Sequence, residues 1–408
     1  MTRSGPTTGA RVAVALSGGV DSAVTAALLL KAGHEVFGLT MTTGFDAVSA
    51  GGELDHPAGG LPHVAAAAGV ARQLGIPHQV VDVRDTFRQV VVEPFCRLYR
   101  EGLTPNPCLA CNRFVKFGRL LETALDMGAG HLATGHYARV AKDAAGLHHL
   151  FKGRDPAKDQ SYVLYGLSQD QLSHVMFPLG GMEKAEVKVL AARMGLQAAV
   201  RPESQDICFI TGEGHADFIE TWSGTRLAEG SILDTAGRRL GTHRGLARYT
   251  VGQRRGLGLG GPHALYVVAL IPEANALVVG SAHEAASRWL SATGATFVSG
   301  SPPPAGARLA VRLRYRARET TGVVSYPSED PAVFHVSLDV PHRAAAPGQA
   351  AVLYRGEEVV GGGIIARTEA LERALSALSS RPRRPVTREA SRREDRPPAH
   401  LQRFHEES

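Results

Sequence analysis

The 408-residue chain is short of several things at once. It has four cysteines, Cys96, Cys108, Cys111 and Cys208, too few for the disulfide framework of a small secreted protein. In a reducing compartment such a small set serves structure, catalysis or metal binding more often than stapling. No run of about 18 apolar residues occurs, and the first apolar run, Val12 to Leu16, is short and not a signal-peptide core. Secretion and a membrane partner are therefore not expected, and the expected location is cytoplasmic. Lysine is scarce: seven of the 45 basic residues are Lys and the rest are Arg. The formal net charge is only +6, and residues 381–408, with eight Arg against five acids, supply half of it. That total is weak evidence for a nucleic-acid partner. A hydrophobic fraction of 44% excludes global disorder, and the length argues for about two or three domains.

The first 200 residues alternate between strand and helix signals. Val12–Leu16, Val36–Met41 and Ile76–Val83 read as strands. Ala23–Leu30, Val64–Leu74, Thr86–Arg100 and Phe117–Met127 read as helices, and His131–Thr134 leads into a further strand-to-loop transition. This alternation predicts an α/β fold with a doubly wound parallel sheet, whose ligands sit at the carboxyl ends of the strands. After about residue 210, Gly-rich turns separate short β-rich runs such as YVVALI, ALVVG, VFHVSL and QAAVLY, which predict two small β-rich domains. The expected divisions are 1–210, 211–285 and 286–370. Residues 371–408, rich in Arg, Pro, Ser and Glu, read as a disordered tail.

The strongest local signal is VAVALSGGVDSAV, Val12 to Val24, an apolar strand that runs through Ser17-Gly18-Gly19-Val20-Asp21-Ser22 into a helix. Two glycines let the backbone approach an anion. The N–H groups of the helix start and the Ser17 and Ser22 hydroxyls can cradle phosphate oxygens. No Lys-Ser/Thr pair follows, so this is not a Walker A loop. The competing reading is an ordinary Gly turn capped by Asp21 or Ser22. Cys108-Leu109-Ala110-Cys111 is a CxxC on a Pro-bounded loop. It suits redox exchange, zinc or an iron–sulfur site, and a helix beginning at Asn112 would lower the nearby thiol pKa. Zinc wants four ligands, and CxxC plus Cys208 supply three, with His136 as one candidate for the fourth. Cys96 reads as packing. GLGLGG (Gly256–Gly261) lacks the following helix and distal acid of a dinucleotide site, and Arg254–Arg255 before it could meet phosphate instead. Alternating Arg in VRLRYRAR predicts a strand with one cationic face, on which Tyr315 could stack on a base.

SGGVDS resembles the PP-loop of ATP pyrophosphatases. TPNPCLACNRFVKFG (Thr104–Gly118), ATGHYARV (Ala133–Val140), KDQSYVLYGLS (Lys158–Ser168), ESQDICFI (Glu203–Ile210), GQRRGLGLGG and GGGII follow in an order similar to that of the tRNA-specific 2-thiouridylases, over roughly residues 11–367. The resemblance implies an adenine nucleotide alpha hydrolase-like catalytic domain and a C-terminal β-barrel that contacts tRNA. It implies ATP and Mg²⁺ as cofactors, tRNA and a protein persulfide donor as partners, and 2-thiouridine at the wobble position as product. The nucleotide would lie on Ala15, Leu16, Ser17, Gly18, Gly19, Val20, Asp21, Ser22, Met41 and Gly135. By the same resemblance Cys111 is the nucleophile and Cys208 carries the persulfide sulfur, with a disulfide between them in the cycle. Asn106, Pro107, Cys108, Lys158, Asp159, Gln160, Arg314 and Tyr315 would contact tRNA. Cys108, Cys111 and Cys208 could instead bind an iron–sulfur cluster, the alternative for the same thiolation. Two departures stand out: the divergent segment 42–62, and Leu103 where relatives commonly have Arg.

Overall fold

Apolar runs too short to be helices and bounded by glycine turns form the strands of three sheets. The computed structural model describes residues 9–45, 61–200, 207–210, 214–343 and 345–379. In chain order the first seven strands are β1 (Arg11–Ala15), β2 (Glu35–Thr42), β3 (His78–Asp82), β4 (His131–Ala133), β5 (Ala138–Lys142), β6 (His148–Lys152) and β7 (Val175–Met176). Five of them make a parallel sheet in the order β3-β2-β1-β4-β7. Val12, Ala13 and Val14 on the middle strand are fully buried, as a strand covered by helices on both faces requires. This is the predicted doubly wound sheet. The order reverses between β1 and β4, which opens a crevice at their carboxyl ends.

The second sheet, β8 (Gly230–Asp234), β9 (Arg239–His243), β10 (Tyr266–Ile271) and β11 (Ala276–Gly280), runs β10-β11-β8-β9. Six further strands, β12 (Ser287–Phe297), β13 (Arg308–Arg312), β14 (Thr320–Ser325), β15 (Val333–His342), β16 (Ala350–Arg355) and β17 (Glu358–Thr368), close into a barrel because β12 pairs with both β15 and β17. The glycine run in β17 makes that closure sterically feasible. A Cβ on Gly361 would lie 2.4 Å from the Thr296 carbonyl oxygen, and one on Gly362 would lie 2.7 Å from that of Ala351.

Three expectations change. The helix expected over Phe117–Met127 begins at Pro107 and runs through Pro107–Ala110, the π-helical Cys111–Leu120 and Leu121–Asp126. The tail expectation fails over its first residues. Glu369–Ser379 is a helix whose Ala370 and Ala374 are buried against Val268, Ala269 and Val278 of the second sheet. Leu371, Ala374, Leu375 and Leu378 recur at helical spacing, a signal masked by the Arg-rich composition that follows. Residues 380–408, and 46–60 of the divergent segment, lie outside the described residues. The SPPPAG stretch joins β12 to β13 within the barrel. Finally, the cationic strand face is not formed, because β13 ends at Arg312 and Arg314, Arg316 and Arg318 lie exposed in the turn beyond it.

The β5–β6 hairpin leaves the first sheet and adds to the barrel edge, where Phe151 pairs with Glu358. Behind this join lies a buried ion pair. Arg312 of β13 donates to Asp159 at 2.7 Å and to Glu319 at 2.7 Å, with side chains 12% and 2% exposed for Arg312 and Asp159. Lys152 reaches the same Glu319, and both cations lie over the Tyr354 ring at 4.9 Å and 4.5 Å. Removing one partner strands a buried charge. Asp159→Asn is therefore expected to destabilise the protein by about 3–5 kcal/mol in urea unfolding, and Asp159→Leu/Arg312→Met to recover much of it. An Asp159→Asn protein that unfolds at the wild-type urea concentration would contradict this account.

Candidate active site

Between β1 and the helix Val20–Lys31, the loop residues are fixed by close approach on two sides. Gly18 has φ +75°, and a Cβ there would lie 2.4 Å from the Ala66 Cβ of the helix Pro62–Leu74. Gly135, just past β4, presses on the other side, where an added Cβ would be 2.8 Å from that of Asp21. Ser22 Oγ accepts from the Ser17 amide at 3.2 Å and donates to the Gly19 carbonyl at 3.0 Å. Gly19 caps the helix with no side-chain bond, and the first helical bond runs from the Ala23 amide to the Gly19 carbonyl. The amides of Val20, Asp21 and Ser22 are thus the orphan donors of a helix start, suited to an anion.

Above the loop opens a cavity of about 200 Å³. Of the residues expected at the nucleotide, Ala15, Leu16, Ser17, Asp21, Ser22, Met41 and Gly135 line it, and Gly18, Gly19 and Val20 do not. Lys116, Thr134, His136 and Gln160 complete the polar wall. Burial, with Lys116 nearby, holds the His136 pKa well below the ordinary histidine value. Its ring is neutral at pH 7, 2.6 Å from Thr134 Oγ1. Asp21 is held by two residues without a sequence assignment: Lys184 Nζ donates to both its oxygens at 2.7 and 2.8 Å, and the Tyr137 hydroxyl donates at 2.8 Å. Lys184, only 8% exposed, was marked in the sequence only by lysine scarcity.

The two CxxC thiols stand on the helix that also carries Lys116. Asn106 caps that helix by accepting from the Cys108 amide at 3.1 Å. The expected lowering of a thiol pKa by a helix start at Asn112 does not occur, because the helix starts earlier and burial dominates. Burial pushes both the Cys108 and Cys111 thiols up, and the Lys116 charge partly offsets this. Cys108 is exposed to solvent. Cys208 is also exposed, in a turn beside Phe209. Phe209 is pinned by edge contacts to Phe87, Phe95 and Phe218, with ring centroids 5.3–5.6 Å apart. None of the four cysteines is in a disulfide. Among the described residues no three His, Cys, Asp or Glu side chains gather in a metal-binding group, so the three thiols do not fit an iron–sulfur cluster. Cys96 is buried packing, with its thiol pushed up to about 11.

The residues expected at tRNA separate into two groups. Cys108 and Arg314 are exposed, and Asn106, Lys158 and Tyr315 are half-buried. Arg316 stacks its guanidinium 5.3 Å from the Tyr315 ring. Pro107 and Asp159 are buried. Asp159 also spends its carboxylate on the Gly153 and Ser161 amides, the Ser161 hydroxyl and Arg312, which leaves it no face for RNA. Gln160 lines the cavity over the SGGVDS loop, and its oxygen accepts from the Tyr137 amide at 3.0 Å. Arg254 and Arg255 are exposed in a loop of the middle region. Among the described residues no helix is long and apolar enough to cross a membrane.

Residues 10–212 match the tRNA methyl transferase HUP domain family. Residues 216–281 match the tRNA methyl transferase PRC-barrel domain, and residues 287–365 the aminomethyltransferase beta-barrel domain. The chain is 45% identical over 357 residues to the tRNA-specific 2-thiouridylase MnmA of Geobacter metallireducens, covering 87% of this chain and 96% of that protein. To the enzyme of the same name from Moorella thermoacetica it is 46% identical over 358 residues, covering 86% and 98%. To that from Chloroflexus aurantiacus it is 44% identical over 360 residues, covering 88% and 99%. With this similarity extending through all three sheets, the chain belongs to the tRNA-specific 2-thiouridylase family.

Proposed function

We propose that the protein is an ATP-dependent tRNA uridine 2-sulfurtransferase that makes 2-thiouridine at the wobble position. The observation that carries this reading is that one helix, Pro107 to Asp126, borders the cavity over SGGVDS with Lys116 and bears the thiols Cys108 and Cys111. ATP is a substrate in this scheme. Its phosphates meet the Ser17–Ser22 loop, and its adenine lies beside Met41 and Gly135. Mg²⁺ suits the site because it keeps water and phosphate ligands and needs few protein carboxylates; Asp21, the carboxylate on the cavity wall, is already engaged by Lys184 and Tyr137, so the ion would be held by the phosphates and water. Bound there, the ion would screen phosphate charge.

The uridine O2 attacks the α-phosphorus, and the bond to the β-phosphate oxygen breaks to release pyrophosphate. The terminal sulfur of a Cys208 persulfide, loaded by a donor protein, then adds to C2, and AMP leaves with the oxygen and its bonding electrons. The Cys111 thiolate attacks Cys208 Sγ, which frees the sulfur as 2-thiouridine and leaves a Cys111–Cys208 disulfide for an external dithiol to reduce. The exposure of Cys208 in its turn supports loading from outside. Asn106, Cys108, Lys158 and the Arg314–Tyr315 turn are assigned to tRNA. The divisions 1–210, 211–285 and 286–370 belong to the same proposal, with the β5–β6 hairpin as a crossing element.

Incubation of enzyme with ATP, Mg²⁺, a persulfide donor and unmodified tRNA should yield 2-thiouridine on digestion, and Cys208→Ser should yield none. Absence of product with the wild type, or its persistence in Cys208→Ser, would sink the scheme. The raised thiol pKa values give a second expectation. A thiol whose pKa lies above its ordinary value stays protonated at pH 7, so iodoacetamide labelling of Cys108 and Cys111 should climb about tenfold per pH unit from pH 7 past pH 8.5. Mass spectrometry of the labelled peptides reads this, and a plateau below pH 8 would contradict it.

A further inference from the structure

The nucleotide cavity carries an unbalanced charge. Its wall holds one carboxylate, Asp21, which the bidentate Lys184 already neutralises. It also holds one basic side chain other than the neutral His136, namely Lys116. Among the described residues no hydrogen bond or ion pair engages the Lys116 ammonium. A half-buried ammonium without a counter-ion gives up hydration for nothing, unless an anion arrives.

Where Lys116 sits on its helix explains which anion. The stretch Cys111–Leu120 is π-helical, so the i→i+5 bond places residue 116 one turn above residue 111, where an α-helix would put residue 115. Lys116 lines the cavity together with His136, and its ammonium is within electrostatic reach of the Cys108 and Cys111 thiols carried on the same helix. In the proposed reaction that is where the phosphate joining AMP to the uridine must pass. The Ser17 and Ser22 hydroxyls of the PP-loop line the same cavity.

We propose that Lys116 is a catalytic residue: its ammonium bonds the non-bridging oxygens of the α-phosphate, first in ATP and then in the adenylated uridine, and stays with AMP as it departs. No proton moves in this role. As sulfur adds to C2 and the C2–O bond breaks, the departing oxygen takes the electron pair onto AMP. Lys116 stabilises the added charge, as fixed cations do in phosphate chemistry. Its positive charge simultaneously favours the thiolate form of Cys111 without direct contact being required. This rests on the thiolation reading above, and it adds the group that holds the leaving phosphate to a scheme that otherwise uses the loop alone.

The test compares wild type with Lys116→Met, which keeps the length and apolar stem, and Lys116→Arg, which keeps the charge. Three measurements are made: AMP binding by equilibrium titration without tRNA, tRNA-dependent pyrophosphate release, and iodoacetamide labelling of Cys111 at pH 8. Lys116→Met is expected to bind AMP at least tenfold more weakly, to lose roughly 10²–10³-fold in turnover, and to label more slowly because its thiol pKa rises further. Lys116→Arg should recover part of the AMP affinity. AMP affinity and Cys111 labelling unchanged in a folded Lys116→Met protein would overturn the assignment. If Lys116→Met fails to fold, Lys116→Arg decides: AMP affinity kept at least in part, with wild-type labelling, supports a charge role, and loss of both overturns it. A wild type that binds AMP through Lys116 yet makes no 2-thiouridine would fail the thiolation reading and leave Lys116 as a nucleotide ligand.

Discussion

The carboxylate of Asp21 is the point to which the nucleotide loop is tied. Lys184 and the Tyr137 hydroxyl approach it from two other parts of the first sheet's surround, and Gly135 closes over it with no room for a side chain. Without those partners the turn between β1 and its helix would keep only its own serine bonds. A loop that cradles phosphate must present its amides in advance of the ligand, because ordering them on binding would subtract from affinity. The Lys184 pair also explains why an acidic residue is compatible with the proposed nucleotide site: its charge is already cancelled. The free charge in the cavity is then that of Lys116, and the site as a whole is cationic where it needs to be.

That electrostatic arrangement bears on the thiols. Burial alone would keep Cys108 and Cys111 protonated and inert, and the nearby ammonium offsets only part of that effect. A thiol held mostly protonated is protected from adventitious oxidation, since the thiolate is the reactive form. Desolvation and a fixed cation are opposing influences, and the balance between them decides how reactive the resting site is. The CxxC spacing by itself left redox, zinc and cluster chemistry open. Among the described residues the side-chain placement gathers no three such ligands, and so lends the cluster no support.

How much of this was legible in the sequence depended on whether the signal was local. Val12–Leu16 with SGGVDS was readable because a short apolar run, two glycines and a helix start are all nearest-neighbour features, and the parallel sheet followed from the alternation. The short strands β10 and β11 were likewise marked by their own apolar runs. The start of the cysteine helix was not readable, because Pro105 and Pro107 looked like loop punctuation when Pro107 in fact occupies the first turn behind the Asn106 cap. Glu369–Ser379 was hidden by the Arg-rich residues after it. The structural part of Asp159 was not readable for a different reason: its partner Arg312 is 153 positions away, and no local pattern announces a pair made by folding. Lys184 and Tyr137 were missed on the same ground.

In the proposed reaction the Asp159–Arg312 pair links the elements assigned to its two ends. Asp159 precedes Gln160, which lines the nucleotide cavity, and Arg312 precedes by two residues the exposed Arg314–Tyr315 turn assigned to tRNA. One buried ion pair therefore fixes the separation between that turn and the cavity, and the shared Glu319, Lys152 and Tyr354 contacts stiffen it. A flexible linker between sheet and barrel would let tRNA bind without its uridine reaching the nucleotide. A charge pair buried this deeply is a costly way to join two units, because desolvation offsets most of its attraction. Its geometric precision accounts for its use here: apolar packing would tolerate sliding, whereas an Arg–carboxylate bond at 2.7 Å, with a second from the same guanidinium to Glu319, does not.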